Sequence, residues 1–257
     1  MKIATYNAAS VRAREESIVE WLAVNEPDIL AIQETKVEDD KFPLMEFEGL
    51  GYQVALNGQK SWNGVAILSR SPIQNVQKGF PDDLFPNDAR LIAAEIDGVQ
   101  VINTYVPNGN TVGSDKWEYK LRWLERFDRF LRESFRPDQP LIWLGDINIA
   151  PKPIDVYDSP RMLNGVGHHP DEFVRLNQIV DFGLTDIFRM IHPDTVAFTF
   201  WDFVLPNGVK RNLGWRIDHI YATRELAGTC TSVSVDLDAR LQEKPSDHTY
   251  VVAEFDF

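Results

Sequence analysis

The chain has 257 residues, 44% of them hydrophobic and 25% charged, the balance of an ordinary soluble globular protein able to bury a large core without staples. No apolar run approaches the roughly 18 residues of a membrane span. Arg12, Arg14, Glu15 and Glu16 interrupt any early signal-peptide core, and a single cysteine, Cys230, leaves no internal disulfide or thiolate zinc cluster. The 39 acidic residues against 26 basic give a net charge of −13, which argues against holding nucleic acid through a general basic surface. An intracellular protein is expected, and any DNA partner must be recognised locally, with part of the acidity masked by a divalent metal.

In chain order, nearly continuous apolar runs at Ile3–Tyr6, Ile29–Ile32, Val65–Leu68, Leu91–Ile96, Val99–Tyr105, Leu141–Leu144, Trp215–Tyr221, Val233–Val235 and Tyr250–Phe255 predict strands. Their uniform apolarity predicts a sheet covered on both faces. Helical spacing joins Ile18, Trp21 and Leu22 within Glu16–Ala23. The same spacing runs from Trp117 through Leu121, Leu124 and Phe127 to Leu131. A third helix starts at Pro170, turns Phe173, Leu176, Ile179 and Val180 inward, and stops before Gly183. The expectation is one α/β domain over residues 1–257.

Polar residues repeatedly close the apolar runs: Asn7, Gln33–Glu34, Tyr105 and Asn108, Asp146 and Asn148. Open α/β sheets commonly place ligand sites at strand carboxyl ends. Any one of these residues alone would be an ordinary turn former; their recurrence makes a shared site. With Asp218, Asp247 and His248 they form a set of hard-oxygen donors plus one imidazole. Such a set suits magnesium or manganese and metal-assisted phosphodiester hydrolysis. His248 is suited to bind or protonate a phosphoryl oxygen, and Asp146 with Asn148 to align attacking water.

Seven motifs then identify a resemblance: Tyr6-Asn7, Ile32-Gln33-Glu34-Thr35-Lys36, Asn63-Gly64-Val65-Ala66-Ile67, Tyr105-Val106-Pro107-Asn108-Gly109, Gly145-Asp146-Ile147-Asn148-Ile149-Ala150-Pro151, Gly214-Trp215-Arg216-Ile217-Asp218-His219 and Ser246-Asp247-His248. Together they resemble exonuclease III, the abasic-site endonuclease branch of the endonuclease/exonuclease/phosphatase superfamily. The resemblance implies a four-layered α/β sandwich of two packed β-sheets flanked by helices. It implies a magnesium-dependent DNA-repair nuclease, a 3′–5′ exonuclease on duplex DNA that also cuts 5′ to abasic sites, acting as a monomer. Carried onto this chain, Glu34 becomes the principal metal ligand with Asn7 and Asp247 beside it. Asp146 and Asn148 handle the water, Asp218 pairs with His248 on the scissile phosphate, and Tyr105 and Asn108 complete the phosphate pocket. Phe200 and Trp201 become candidates for an aromatic wedge against distorted DNA. Arg216, Lys116, Lys120, Lys210 and Arg211 become candidate phosphate contacts.

Two departures from the family pattern stand out. The usual Trp-Asn-Val-Asn reads Tyr6-Asn7-Ala8-Ala9, so a carboxamide is lost at Ala9. The usual Pro-Glu-Glu-Arg reads Pro170-Asp171-Glu172-Phe173 after His168-His169, read either as a solvated loop or as a rim that tunes what enters the pocket. Two other functions are compatible with parts of this pattern: a phosphodiesterase for lipid or small-molecule phosphate esters, and a weakened DNA-end binding protein suggested by Ala9.

Overall fold

The computed structural model describes residues 1–82, 84–85 and 88–256. Among the described residues, twelve strands run in chain order: β1 (Lys2–Asn7), β2 (Ile29–Gln33), β3 (Gln53–Asn57), β4 (Val65–Ser69), β5 (Gln74–Lys78), β6 (Leu91–Ile96), β7 (Val99–Tyr105), β8 (Leu141–Asp146), β9 (Leu184–Asp186), β10 (Asp218–Thr223), β11 (Cys230–Asp236) and β12 (Tyr250–Phe255). They form two six-stranded mixed sheets, ordered β11-β12-β1-β2-β4-β3 and β5-β6-β7-β8-β10-β9. Each sheet has one parallel pair near its middle, β1 with β2 and β7 with β8, and antiparallel neighbours on either side.

The apolar runs form strands because they are buried on both faces. Ile3, Ile29, Ile67, Val101, Ile142, Leu144 and Ile220 fill the layer between the sheets. The alternate residues of the same strands meet helices. Trp143 and Tyr221 lie under Leu124, Phe127 and Leu131 of the Asp115–Ser134 helix. Leu30, Ile32 and Tyr250 lie under Ile18 and Leu22 of the Glu15–Asn25 helix. The long helix starts at Ser114, whose hydroxyl accepts the Trp117 N–H at 3.2 Å, satisfying one of the free donors of its first turn. The Pro170–Val180 helix begins where its proline predicts. The result is an α/β sandwich in the order helices, sheet, sheet, helices.

Three strands, β3, β5 and β9, have no counterpart among the predicted elements, and the expected Trp215–Tyr221 strand is shifted to Asp218–Thr223. Trp215 instead makes isolated bridges to Val156 and Phe200.

The topology decides where chemistry can occur. The carboxyl ends of β1, β2, β7 and β8 all point the same way, and β10 and β12 run antiparallel to them. Residues that begin β10 or precede β12 therefore join those that end the parallel strands. Beneath this rim, Gln33 Nε2 donates to Asn103 Oδ1 at 2.8 Å. Asn103 Nδ2 donates to the carbonyls of Ile32 and Ala66 at 3.0 and 2.8 Å. These buried bonds pin one sheet to the other directly below the site.

Candidate active site

Asn7, Glu34, Tyr105, Asp146, Asn148, Asp218, Asp247 and His248 come together at the common strand end. Strand pairing sets much of this: Asp146 is opposite both Tyr105 of β7 and Asp218 of β10. Asn7 Nδ2 donates to Glu34 Oε1 at 3.0 Å and to Asp146 Oδ2 at 2.8 Å, so one amide spaces two carboxylates. Its Oδ1 accepts the Ala9 N–H at 3.0 Å. That bond uses only backbone at position 9, so Ala9 still orients Asn7 although it lacks a carboxamide. Asn7 thus faces the carboxylates with its donors, a different placement from that of a simple metal ligand.

His248 lies between two acids. Its Nδ1 is 2.9 Å from Asp218 Oδ2 and 3.1 Å from Oδ1, while Nε2 is 3.8 Å from Asp146 Oδ2. Burial works against the charged imidazole, but Asp218 and then Asp146 outweigh it and raise its pKa to about 10. Asp146 shifts upward from the carboxylate range because it is buried, with His248 opposing that shift and Asp218 and Glu34 adding to it. A carboxyl poised toward neutrality beside a retained imidazolium is an arrangement typical of acid–base sites.

Asn148 adopts a left-handed conformation, φ 54°. Its N–H donates to Asp146 Oδ1 at 2.9 Å, its Nδ2 to the Val106 carbonyl at 2.9 Å, and its Oδ1 accepts Asn108 Nδ2 at 3.1 Å. Both carboxamides are therefore fixed beside the pocket, and Asn108 is exposed to what enters it. Tyr105 carries the Arg90 guanidinium over its ring, 4.6 Å from the centroid. Burial, with Glu34 and Asp146 nearby, holds its phenol well above the ordinary pKa.

Asp146, Asp218 and His248 form a buried acidic and histidine cluster whose ligand atoms lie within 4.8 Å of one another, close enough for one metal ion. An imidazolium bonded to Asp218, however, has no lone pair to offer. Glu34 is a better fit for a hard cation. Its side chain is 15% exposed, and Lys36 Nζ already rests 2.7 Å from Oε2 as a cation on that oxygen. Burial opposes ionisation of Glu34, but Lys36 and Asn7 together hold its carboxyl below the usual range. Asp247 is partly exposed nearby, with Oδ1 accepting the Ser246 hydroxyl at 3.2 Å. Oxygen donors without thiolate match magnesium or manganese.

Several expected DNA contacts lie elsewhere. Arg216 is 1% exposed and its donors are taken by Asp155 and Asp186, with Nε 2.7 Å from Asp155 Oδ1 and Nη2 2.7 Å from Asp186 Oδ2. It cannot reach a phosphate without abandoning two buried carboxylates. Lys120 is fully buried against Glu172. Lys116, Lys210 and Arg211 are exposed. Trp201 is 2% exposed, and a Cβ on Gly214 would sit 2.6 Å from its Nε1. It is core, and Gly214 is the space it packs into. Phe200 is half-buried and stacks obliquely on His248, ring centroids 4.8 Å apart, as a wall of the site. The exposed apolar tip of the same loop is Phe203 and Val204, 58% and 82% exposed. Sequence reading chose Phe200 and Trp201 over that pair, because four apolar positions in six residues gave no face to choose. His168 is also buried, with Nδ1 2.6 Å from the Ala150 carbonyl and Nε2 2.9 Å from the Ser159 hydroxyl, and His169 caps the Pro170–Val180 helix. The pair braces the pocket loop; it is not a solvated segment.

Comparison with known proteins agrees with this arrangement. The model of the endonuclease/exonuclease/phosphatase family matches residues 4–248. The chain is similar to exodeoxyribonuclease III of Haemophilus influenzae, 31% identical over 99% of this chain and 100% of that protein. Among solved structures it is similar to an AP endonuclease from Archaeoglobus fulgidus, 42% identical with a TM-score of 0.97 over both full chains. It is equally similar in shape to a 3′ phosphatase from Neisseria bound to a product DNA hairpin, 39% identical with a TM-score of 0.97 over both full chains.

Proposed function

Because the chain belongs to the endonuclease/exonuclease/phosphatase family, in its exonuclease III and AP endonuclease branch, we propose a magnesium-dependent DNA-repair nuclease that digests duplex DNA 3′ to 5′ and cuts 5′ to abasic sites. One observation carries the chemistry: buried Asp146 facing an imidazolium that Asp218 holds from behind. His248 Nε2–H donates to a non-bridging phosphate oxygen and keeps its proton, since Asp218 stabilises the charge. Asp146, freed of a proton and oriented through Asn7 and Asn148, accepts one from the attacking water. Asn108 and Tyr105 donate to the remaining phosphate oxygens and fix its orientation. Bound magnesium, or manganese in its place, would be held by Glu34 and Asp247 and would neutralise phosphate charge and stabilise the leaving oxygen. Asn7 would support it indirectly by spacing Glu34 from Asp146.

Substrate contact is assigned to the rim. Phe203 and Val204 present apolar surface beside Phe200, while the net charge of −13 leaves no overall attraction to DNA. The family match over residues 4–248 supports a single-domain enzyme. The deciding experiment incubates the protein with duplexes carrying a recessed 3′ end, one abasic site or a 3′ phosphate, with magnesium or with chelator. Magnesium-dependent cleavage of the first two is expected. Release of phosphate from phospholipid or inositol phosphates with DNA left intact would overturn the reading, as would chelator-resistant DNA binding without cleavage.

A further inference from the structure

Resting on the nuclease reading, we propose that Lys120 is a positioning residue: from beneath the site its ammonium holds the two loops that present Asn108 and Asn148. Lys120 belongs to the Asp115–Ser134 helix and is fully buried. Its Nζ donates to the Asn148 carbonyl at 2.8 Å and to the Asn108 carbonyl at 3.1 Å, and pairs with Glu172 Oε1 at 2.5 Å. An ammonium has three N–H donors, and all three are used.

The acid that neutralises Lys120 is tied to the same loop. Glu172 is also fully buried, and its Oε1 accepts the Gly167 N–H at 3.0 Å while Oε2 accepts that of His169 at 3.1 Å. The Gly167 carbonyl in turn accepts the Ala150 N–H at 2.7 Å. Lys120 therefore grips the loop at position 148, and Glu172, through one glycine, at position 150. Gly109 follows Asn108 with φ 96°, and a Cβ there would lie 3.1 Å from Lys120 Cδ.

Packing alone does not explain a charged pair here, since apolar residues of similar volume fill a core without the desolvation cost of two buried ions. An apolar pair lacks donors for the two loop carbonyls. Asn148 needs such a donor because its left-handed backbone is disfavoured and persists only where its surroundings over-determine it. Asp146 holds its N–H and Lys120 its C=O, so each of the two peptides flanking Asn148 is tied, and neither can turn without breaking its bond. Lys120 acts on the reaction through Asn148 and Asn108 and does not touch the phosphate.

The test is a double-mutant cycle of Lys120→Met and Asn148→Ala, read by single-turnover cleavage with saturating enzyme, DNA affinity and thermal melting. Lys120→Met should lower the rate at least about tenfold with DNA affinity changed less than about threefold, and should cost less than about threefold once Asn148 is already Ala. Equal rate losses in both backgrounds, or a loss confined to affinity, would overturn the proposal. If Lys120→Met does not fold, Glu172→Gln carries the same cycle, because it keeps the shape and removes the neutralising charge. A readout independent of activity follows the ¹⁵N-labelled side-chain amides: those of Asn148 and Asn108 should shift or broaden in the folded variant while that of Asn7 stays put. Unchanged Asn148 and Asn108 signals would refute positioning. Failure of the unmutated protein to cut duplex DNA would refute the nuclease reading alone, leaving the amide signals to decide the role of Lys120.

Discussion

Two buried ionic clusters lie near the same strand ends and behave oppositely. In the first, among the described residues, Asp146, Asp218 and Glu34 pair only with His248 and Lys36 as cations, and the Glu34 side chain is 15% exposed. In the second, Asp155 and Asp186 are matched by Arg189 and Arg216, with His219 donating from Nε2 to the Ile149 carbonyl at 2.9 Å and accepting from Arg216 at Nδ1 at 3.0 Å. The matched cluster has every charge compensated. Its effect is visible in Asp155, where burial is overcome by Arg216 and Arg189 and the carboxyl is held below its usual range. In the unmatched cluster burial wins at Asp146 and the carboxyl rises. Burial by itself does not mark a reactive acid; burial without a sufficient counter-charge does.

The sharpest way to break this contrast is Arg216→Met. It strands Asp186 and leaves Asp155 to Arg189 alone, so stability should fall by about 3–5 kcal/mol, the cost of removing one partner of a buried pair. Denaturant unfolding measures it. A variant that keeps its stability but loses DNA affinity would return Arg216 to the substrate surface. Asp146→Asn tests the other cluster: single-turnover cleavage should drop at least about a hundredfold with DNA binding kept. A much smaller loss would move water activation elsewhere.

Glu34→Gln should weaken magnesium affinity by more than the roughly 10- to 100-fold that losing a ligand's supporting partner costs, read by titrating the metal against cleavage rate. Full activity at low magnesium would remove Glu34 from the metal site. A gentler effect concerns pH. His248 keeps its proton in the fold up to about 10, whereas the unfolded chain releases it near its ordinary value of 6.5. The stability it contributes is complete below that lower value and is lost as pH rises through about 10. Chelated protein should show this decline in melting temperature, and His248→Gln should flatten it. The smallest stability change belongs to the rim. Phe203→Ala with Val204→Ser should alter stability by less than about 0.5 kcal/mol yet weaken DNA binding, whereas Trp201→Ala should cost about 3–5 kcal/mol. Equal melting temperatures for the two would overturn the division of that loop into tip and core.

The strands missed in the sequence share a cause. β3, β5 and β9 are all outermost strands. An outermost strand pairs on one side only and tolerates polar residues, so Gln74–Lys78 reads QNVQK with mostly exposed positions and carries too faint an apolar signal to detect. Central strands, buried on both faces, announced themselves. Glu34 and Asp146 were legible because each closes such a run, and Asp218 and His248 because they lie in the motifs that carry the family resemblance.

Sequence by itself determined the buried strands, the three main helices, the family and the candidate site residues that the fold brings together, since apolar periodicity and motif order are local properties of the chain. Only the tertiary structure decided which charges are spent internally. Arg216 meets Asp155 from 61 residues away, Lys120 meets Glu172 across two helices, and Trp201 fills the space that Gly214 leaves. A cation's neighbours across the fold, and not its own type, determine whether it faces a phosphate or a buried carboxylate, and those neighbours exist only once the two sheets have closed.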